Sequence, residues 1–218
     1  MRTYLIIRWS ALGIFFIHLG VRFSLDGPHL WIDLIGYNLI ATVACIALFT
    51  SPRHNDPLAV AFLACAIASW TSGSLLSSLS QFYTLPSSAQ YLANISYTLF
   101  YPCALFAIPR ILNRRKSLSI IEMLDAAIFG LGLSSIATAL IFSQVISIGS
   151  GQSFFEIFYP ICDLALLITL AVASITQILN RRFLLLALGF FVYLLFDYLY
   201  LWNSFQGNYQ FGTIFDNG

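Results

Sequence analysis

Seven long apolar runs, separated by short polar turns, limit what this chain can fold into. The runs cover about 6–24, 31–50, 58–82, 89–109, 120–147, 154–178 and 183–204. A helix needs roughly 20 apolar residues to cross the core of a bilayer. Only 9% of the residues are charged, whereas a soluble domain carries about 25%. The sequence therefore predicts an all-α fold, in which residues 1–218 form one integral membrane domain, a polytopic bundle of about seven transmembrane helices.

Basic residues are distributed unevenly between the two sides of this predicted bundle. Short turns make consecutive helices antiparallel neighbours. That alternation places nine of the ten Lys and Arg residues on the side of the N-terminus, and only Arg22 on the other side. Because cytoplasmic loops are enriched in Lys and Arg, the N-terminus is predicted to be cytoplasmic and the end of the seventh helix to lie outside. Asp33, at the outer start of the second run, is expected to face water.

Several classes of function find no support in the sequence. The net charge of +1 provides no basic surface for nucleic acid. The four cysteines all lie in apolar runs without a CxxC pair, so neither a disulfide framework nor a zinc site is predicted. No two histidines have the spacing of metal ligands, and no HExxH motif is present. We predict no metal, no cofactor and no catalytic residue, and therefore no enzymatic activity in this chain.

Small residues recur every fourth position in two runs. The third run carries Ala61, Cys65, Ser69, Gly73 and Ser77, and the fifth carries Ala126, Gly130, Ser134 and Thr138. Small residues let helix backbones approach closely in lipid. We therefore expect the third and fifth helices to lie inside the bundle.

Two carboxylates interrupt the sixth and seventh runs, in FYPICDLALL and FVYLLFDYLY. With a rise of 1.5 Å per residue, Asp163 lies roughly 13 Å and Asp197 roughly 10 Å below the outer ends of their helices, so both have similar depth. Tyr159 lies four residues before Asp163, Tyr193 four residues before Asp197, and Tyr200 close to the same face. Phenol hydroxyls on that face can hydrogen-bond a carboxylate. Three interpretations stay open: an interhelical clasp, the polar floor of an outward-facing pocket, and a proton relay.

Two further residues are candidates because of their position in a helix. Pro160 lies near the start of the sixth helix, where a missing N–H is tolerated. Asp125 lies near the cytoplasmic start of the fifth helix, close to the basic loop 110–116, and ion pairing with that loop is the simplest interpretation of it.

Four stretches follow one another along the chain: LPSSAQYLANISYTLFYP, EMLDAAIFGLGL, FYPICDLALL and DYLYLWNSFQGNYQFGTIFDNG. In this order, and over about residues 30–218, they resemble the N-terminal membrane-embedded sensory region of bacterial cyclic-di-GMP signalling proteins with GGDEF or EAL domains. The matching residues are Pro86, Ser87, Ala89, Tyr101, Pro102, Leu124, Asp125, Gly130, Tyr159, Pro160, Asp163, Leu166, Leu167, Asp197, Tyr200, Gly207, Tyr209, Gly212, Asp216 and Gly218.

This resemblance implies a sensor in the bacterial inner membrane that regulates a cytoplasmic cyclic-di-GMP synthase or phosphodiesterase. It implies an eighth helix and an output domain beyond residue 218, and a homodimer formed through that domain. The expected partners are the lipid bilayer and a small apolar or amphipathic ligand. The candidate ligand-binding or signalling residues are Asp163, Asp197, Tyr159, Tyr193, Tyr200, Pro160, Asp125 and Tyr209. A small transporter or proton-linked carrier and a structural bundle without a ligand remain alternatives.

Overall fold

The computed structural model describes residues 2–25, 27–50, 56–112, 154–176 and 181–205, with isolated positions at 121, 124, 128, 132, 135 and 211. This part of the chain is helical and contains no strand. The helices are α1 (Arg2–Phe23), a π-helix (Leu30–Gly36) that leads into α2 (Tyr37–Phe49), α3 (Pro57–Phe82), α4 (Ser87–Leu112), α5 (Phe154–Thr176) and α6 (Arg181–Phe205).

Helices occupy six of the seven apolar runs, so the all-helical prediction is confirmed for them; α5 and α6 correspond to the sixth and seventh runs. Among the described residues, three segments are long and apolar enough to cross a membrane: Leu30–Phe49, Pro57–Phe82 and Ser87–Ile111. The fifth run, with its small residues, lies outside the described residues except for isolated helical positions.

The boundaries of α3 follow from local chemistry. Asp56 precedes it in an extended conformation and its Oδ1 accepts hydrogen bonds from the N–H groups of Leu58 and Ala59, at 3.0 and 3.3 Å. Pro57 follows at the first helical position, where its missing N–H is not needed. A turn of four residues separates the end of α3 at Phe82 from the start of α4 at Ser87. The two helices therefore form an antiparallel hairpin.

Each described helix packs mainly on the next one: α1 on α2, α2 on α3, α3 on α4, α4 on α5 and α5 on α6, with α3 and α4 in the most extensive contact. The fifth apolar run lies between α4 and α5 in the sequence. Small side chains are buried at these contacts, which lets the backbones approach; they include Ala59, Ala64, Ala66, Ala93, Ala104, Ala107 and Ala165. A cluster of buried residues lies where α3, α4, α5 and α6 meet, and contains Ala66, Phe100, Tyr101, Ala104, Ile108, Cys162, Leu166, Leu170 and Phe190.

The face of α3 that carries the predicted small residues is only partly buried. Gly73 is buried, and a Cβ there would lie 2.9 Å from the Tyr97 ring of α4, but Ala61 and Cys65 are exposed. With 3.6 residues per turn, a four-residue step rotates by about 40°, whereas a seven-residue step drifts by only about 20° the other way. The buried series Ala59, Ala66 and Gly73 follows the seven-residue step.

A buried ion pair closes the connection between α1 and α2. Arg22 is 4% exposed and Asp33 is 1% exposed, and Arg22 Nη1 lies 3.4 Å from Asp33 Oδ2. The same oxygen accepts a hydrogen bond from the N–H of His29 at 2.6 Å, and Arg22 Nη1 donates to the carbonyl of Gly27 at 2.8 Å. Gly27 has a φ of 76°, a conformation that glycine adopts readily. The expectation that Asp33 faces water is therefore wrong, because the loop folds back to pair it.

Candidate functional site

The structure brings Asp163 of α5 and Asp197 of α6 together. The two carboxyl groups interact electrostatically and are placed to hydrogen-bond each other. Asp163 is completely buried at 0% exposure, and Asp197 is partly buried. Similar depth on adjacent antiparallel helices accounts for this meeting, because α5 and α6 are packed against each other.

The pair receives little help from its surroundings. Neither oxygen of Asp163 accepts a well-aligned hydrogen bond in the described part of the chain, and neither does Oδ2 of Asp197. A buried polar atom without a partner is unusual, since at least nine-tenths of such atoms are satisfied. These oxygens are therefore the strongest structural sign of a site that takes up something further.

Two phenols border the pair on separate helices. Tyr101 of α4 is an electrostatic neighbour of both aspartates, and its hydroxyl approaches Asp163. Tyr193 of α6 is also an electrostatic neighbour of both, and its hydroxyl is placed to hydrogen-bond that of Tyr101. The site is thus built from α4, α5 and α6, and it adjoins the buried cluster, which includes Tyr101 itself.

Tyr101 was not among the site residues predicted from the sequence. The triplet FYP occurs at 100–102 and again at 158–160, and the structure stacks the two tyrosines, with the ring centroids of Tyr101 and Tyr159 6.1 Å apart. This repeated triplet is the signal that points to Tyr101, although it does not show that the two helices are in contact.

Tyr159 belongs to the same polar layer but points toward α4. Its hydroxyl donates to the backbone carbonyl of Asn94 at 3.4 Å and lies 3.5 Å from Asn94 Oδ1. Thr98 Oγ1 donates to the same Asn94 carbonyl at 2.8 Å. Tyr159 is an electrostatic neighbour of Asp197 and Tyr200, so it borders the pair without being aimed at Asp163.

The remaining predicted residues fall in different places. Pro160 is buried and is the seventh residue of α5, so it removes one helical hydrogen bond inside the helix, not at its first turn. Tyr200 is 41% exposed and neighbours Tyr159. Asp125 and Tyr209 lie outside the described residues.

No cationic side chain is an electrostatic neighbour of either aspartate within the described part of the chain. The two arginines with described ion pairs, Arg22 and Arg110, contact Asp33 and Asp56 instead. No group of three or more His, Cys, Asp or Glu residues in these same segments is arranged to hold a metal. Chemically, the pair offers acceptor oxygens and phenol hydroxyls, which suits a proton or a ligand that donates hydrogen bonds.

Comparisons of the chain with protein families, with curated proteins and with solved structures find no match. The resemblance to cyclic-di-GMP signalling proteins therefore depends on the sequence stretches alone. The class that the fold and the site support is a helical protein whose apolar helices suggest membrane association and which has a buried pair of carboxyl groups.

Proposed function

We propose that this chain is a membrane-embedded signal-input module, in which the state of the Asp163–Asp197 pair sets how α5 and α6 pack. In the full proposal about seven helices span a bacterial inner membrane with the N-terminus in the cytoplasm. A cytoplasmic cyclic-di-GMP synthase or phosphodiesterase receives the signal. The uneven distribution of Lys and Arg supports the orientation, and the four motif stretches support the output.

The observation that carries this proposal is a pair of acids from two helices that meet in a buried layer, with no cation beside them among the described side chains. An ionisable residue inside a membrane costs free energy, about 2.5–3.5 kcal/mol on insertion scales, and commonly marks a functional site. Two acids at one contact hold two helices together only while one of them is protonated, so a small change can shift the packing, as a sensor requires. Two packings within a few kcal/mol of each other satisfy that need.

Aromatic residues next to the acid pair connect it to the contact with α4. Tyr193 packs on Phe100 with ring centroids 5.4 Å apart, and Tyr101 contacts both Tyr159 of α5 and Tyr193 of α6. A shift of α6 relative to α5 therefore changes the contacts of α4 as well. We expect the input to be a small apolar or amphipathic ligand, a proton or a property of the bilayer that favours one packing.

The decisive experiment measures cellular cyclic-di-GMP in bacteria that express the complete gene with Asp163→Asn. This variant keeps the shape of the side chain and removes one acid, so we expect altered cyclic-di-GMP at unchanged protein level. Asp56→Asn is the matched control, because it makes the same change at a residue outside the site. Wild-type cyclic-di-GMP in Asp163→Asn would contradict the proposal, as would a stop codon directly after codon 218.

A second function, a proton-linked carrier, is favoured by the same pair, since acids buried in a membrane also serve as proton relays. A carrier moves solute across proteoliposomes in response to a pH gradient, whereas a sensor does not. Uptake that is abolished by Asp163→Asn, without any effect of this variant on cyclic-di-GMP, would favour the carrier.

A further inference from the structure

We propose that Asp163 and Asp197 hold one proton between them, as a carboxylic acid hydrogen-bonded to a carboxylate, and that this proton joins α5 to α6. The inference deepens the proposed function and rests on it, because it names the proton as the ligand of the input site. The transfer is simple: a proton from bulk water binds one carboxylate oxygen, and no other bond changes.

The first argument is the contact itself. The two carboxyl groups are placed to hydrogen-bond each other, yet an ionised carboxylate has only acceptors. Such a hydrogen bond therefore exists only when one of the two groups carries a hydrogen. Neither oxygen of Asp163 accepts a well-aligned hydrogen bond among the described residues. The O–H of the partner acid supplies a donor to one of these oxygens, and the nearby Tyr101 hydroxyl can serve the other.

The second argument is electrostatic. Two carboxylates that share a site cannot both ionise without strong repulsion, and one proton between them removes that repulsion. The surroundings do not offer an alternative, since Asp163 is fully buried and no described cation adjoins either group. When the two carboxyl groups share one proton, the layer carries a single negative charge instead of two.

The ionisable side chains around the pair on the described helices cannot neutralise it. Those that adjoin one of the two aspartates are Tyr101 on α4, Tyr159 and Cys162 on α5 and Tyr193 on α6; Tyr97 and Tyr200 lie next to these tyrosines. All six are weak acids that are neutral when protonated, so none can balance two negative charges. The phenols can instead donate hydrogen bonds to the one remaining charge.

Loss of the shared proton converts an attraction between α5 and α6 into a repulsion. The helices then separate at this layer or admit water, and Tyr101 and Tyr193 lose their present contacts. This gives the input module two packings that differ by a single proton, which is the kind of bistable element that a switch requires.

The test is infrared difference spectroscopy of the full chain in lipid nanodiscs while the bulk pH is stepped from about 2 to about 9, a range that brackets ordinary and raised carboxyl titrations. We expect a carboxylic acid C=O band that is lost as pH rises and shifts in D2O. The double variant Asp163→Asn/Asp197→Asn should lack this band, and the control Asp56→Asn should keep it.

The proposal is overturned if the folded wild-type protein shows no such band, or if the band persists in the double variant. Should the double variant fail to fold, the single variant Asp197→Asn serves instead. Removal of one partner must then move the pH at which the band is half lost, and an unchanged titration overturns the proposal as well.

A second readout separates this inference from the proposed function. If the band is present and Asp163→Asn leaves cellular cyclic-di-GMP unchanged, the shared proton stands and the input role fails. If Asp163→Asn alters cyclic-di-GMP but the wild-type protein lacks the band, the site is an input for another ligand and the proton inference fails.

Discussion

Two regions of this protein each bury an aspartate almost completely, but one aspartate has a cationic partner and the other has an acidic partner. Asp33 contacts a guanidinium and a backbone N–H, and its partner Arg22 also donates to a loop carbonyl. Asp163 contacts another acid, and neither of its oxygens has a well-aligned donor within the described segments. Asp33 therefore belongs to an ion pair that holds a loop in place, whereas Asp163 can still bind a proton. Burial alone therefore does not identify a functional acid; the chemistry of its partner does.

The comparison predicts its largest effect at Arg22. Replacement by Met leaves Asp33 buried without its cation, which should lower the free energy of unfolding by about 3–5 kcal/mol. Reversible unfolding in mixed detergent micelles measures the loss. Stability within experimental error of wild type would show that Asp33 reaches water after all.

The control for this experiment is the double variant Arg22→Met/Asp33→Asn. Its amide oxygen can still accept from the N–H of His29, and no charge remains without a partner, so most of the lost stability should return. A double variant as unstable as the single one would attribute the effect to the Arg22 side chain itself, and not to the uncompensated charge.

The next effect concerns the close contact that positions the aromatic residues beside the acid pair. In Gly73→Ala the new methyl group meets the ring of Tyr97 at 2.9 Å, and Tyr97 in turn packs on Tyr159 with ring centroids 6.2 Å apart. We expect a loss of about 1–3 kcal/mol from overpacking, with the infrared band of the acid pair perturbed and the Arg22 pair unaffected.

Gly189 supplies the matched control, since a Cβ there meets no atom within 4 Å. Gly189→Ala lies inside α6, where alanine should stabilise the helix by about 0.5–1 kcal/mol relative to glycine. Thermal unfolding of both variants checks the pair of predictions. Equal effects of the two substitutions would mean that α3 and α4 are less tightly packed at Gly73 than the structure indicates.

A smaller effect on stability is expected at Asp163. In Asp163→Asn an amide N–H replaces the shared proton as the donor to Asp197, and the layer still carries one negative charge. The free energy of unfolding should therefore change by about 1 kcal/mol or less, in contrast to Arg22→Met. A loss as large as that of Arg22→Met would indicate that Asp163 is a structural residue in the same sense as Asp33.

The two buried aspartates also differ in how far their surroundings could be predicted from the sequence. The contact between Asp163 and Asp197 could be predicted from helix rise and from two apolar runs that are adjacent in sequence, and the structure shows this contact. Tyr101 was missed as a site residue because α4 and α5 are separated by forty-one residues, and no turn length shows that they pack together. Asp33 was misjudged because its partner depends on a reversal at Gly27 that brings Arg22 back across eleven residues.

The smallest effect is expected where an aspartate is paired but exposed to solvent. Burial of Asp56 raises its pKa, but the hydrogen bond from Arg110, the N–H groups of Ala59 and Leu58 and the charge of Arg110 lower the pKa overall. A lowered pKa means that the ion pair and the helix cap add stability above the ordinary pKa of an aspartate and lose it as the pH falls through the lowered value.

Because solvent screens this pair, Asp56→Asn, which can still cap α3, should remove only about 0.2–1 kcal/mol at neutral pH. Unfolding measured from about pH 2 to about pH 6, on either side of the carboxyl titration, should show the difference between wild type and variant vanish in acid. The difference should also shrink in high salt, because salt screens exposed charges. A difference that persists in acid would mean that the Asp56 carboxyl contributes through shape and not through charge. Asp56 would then stabilise the fold by a different mechanism from Asp33, which acts through its charge.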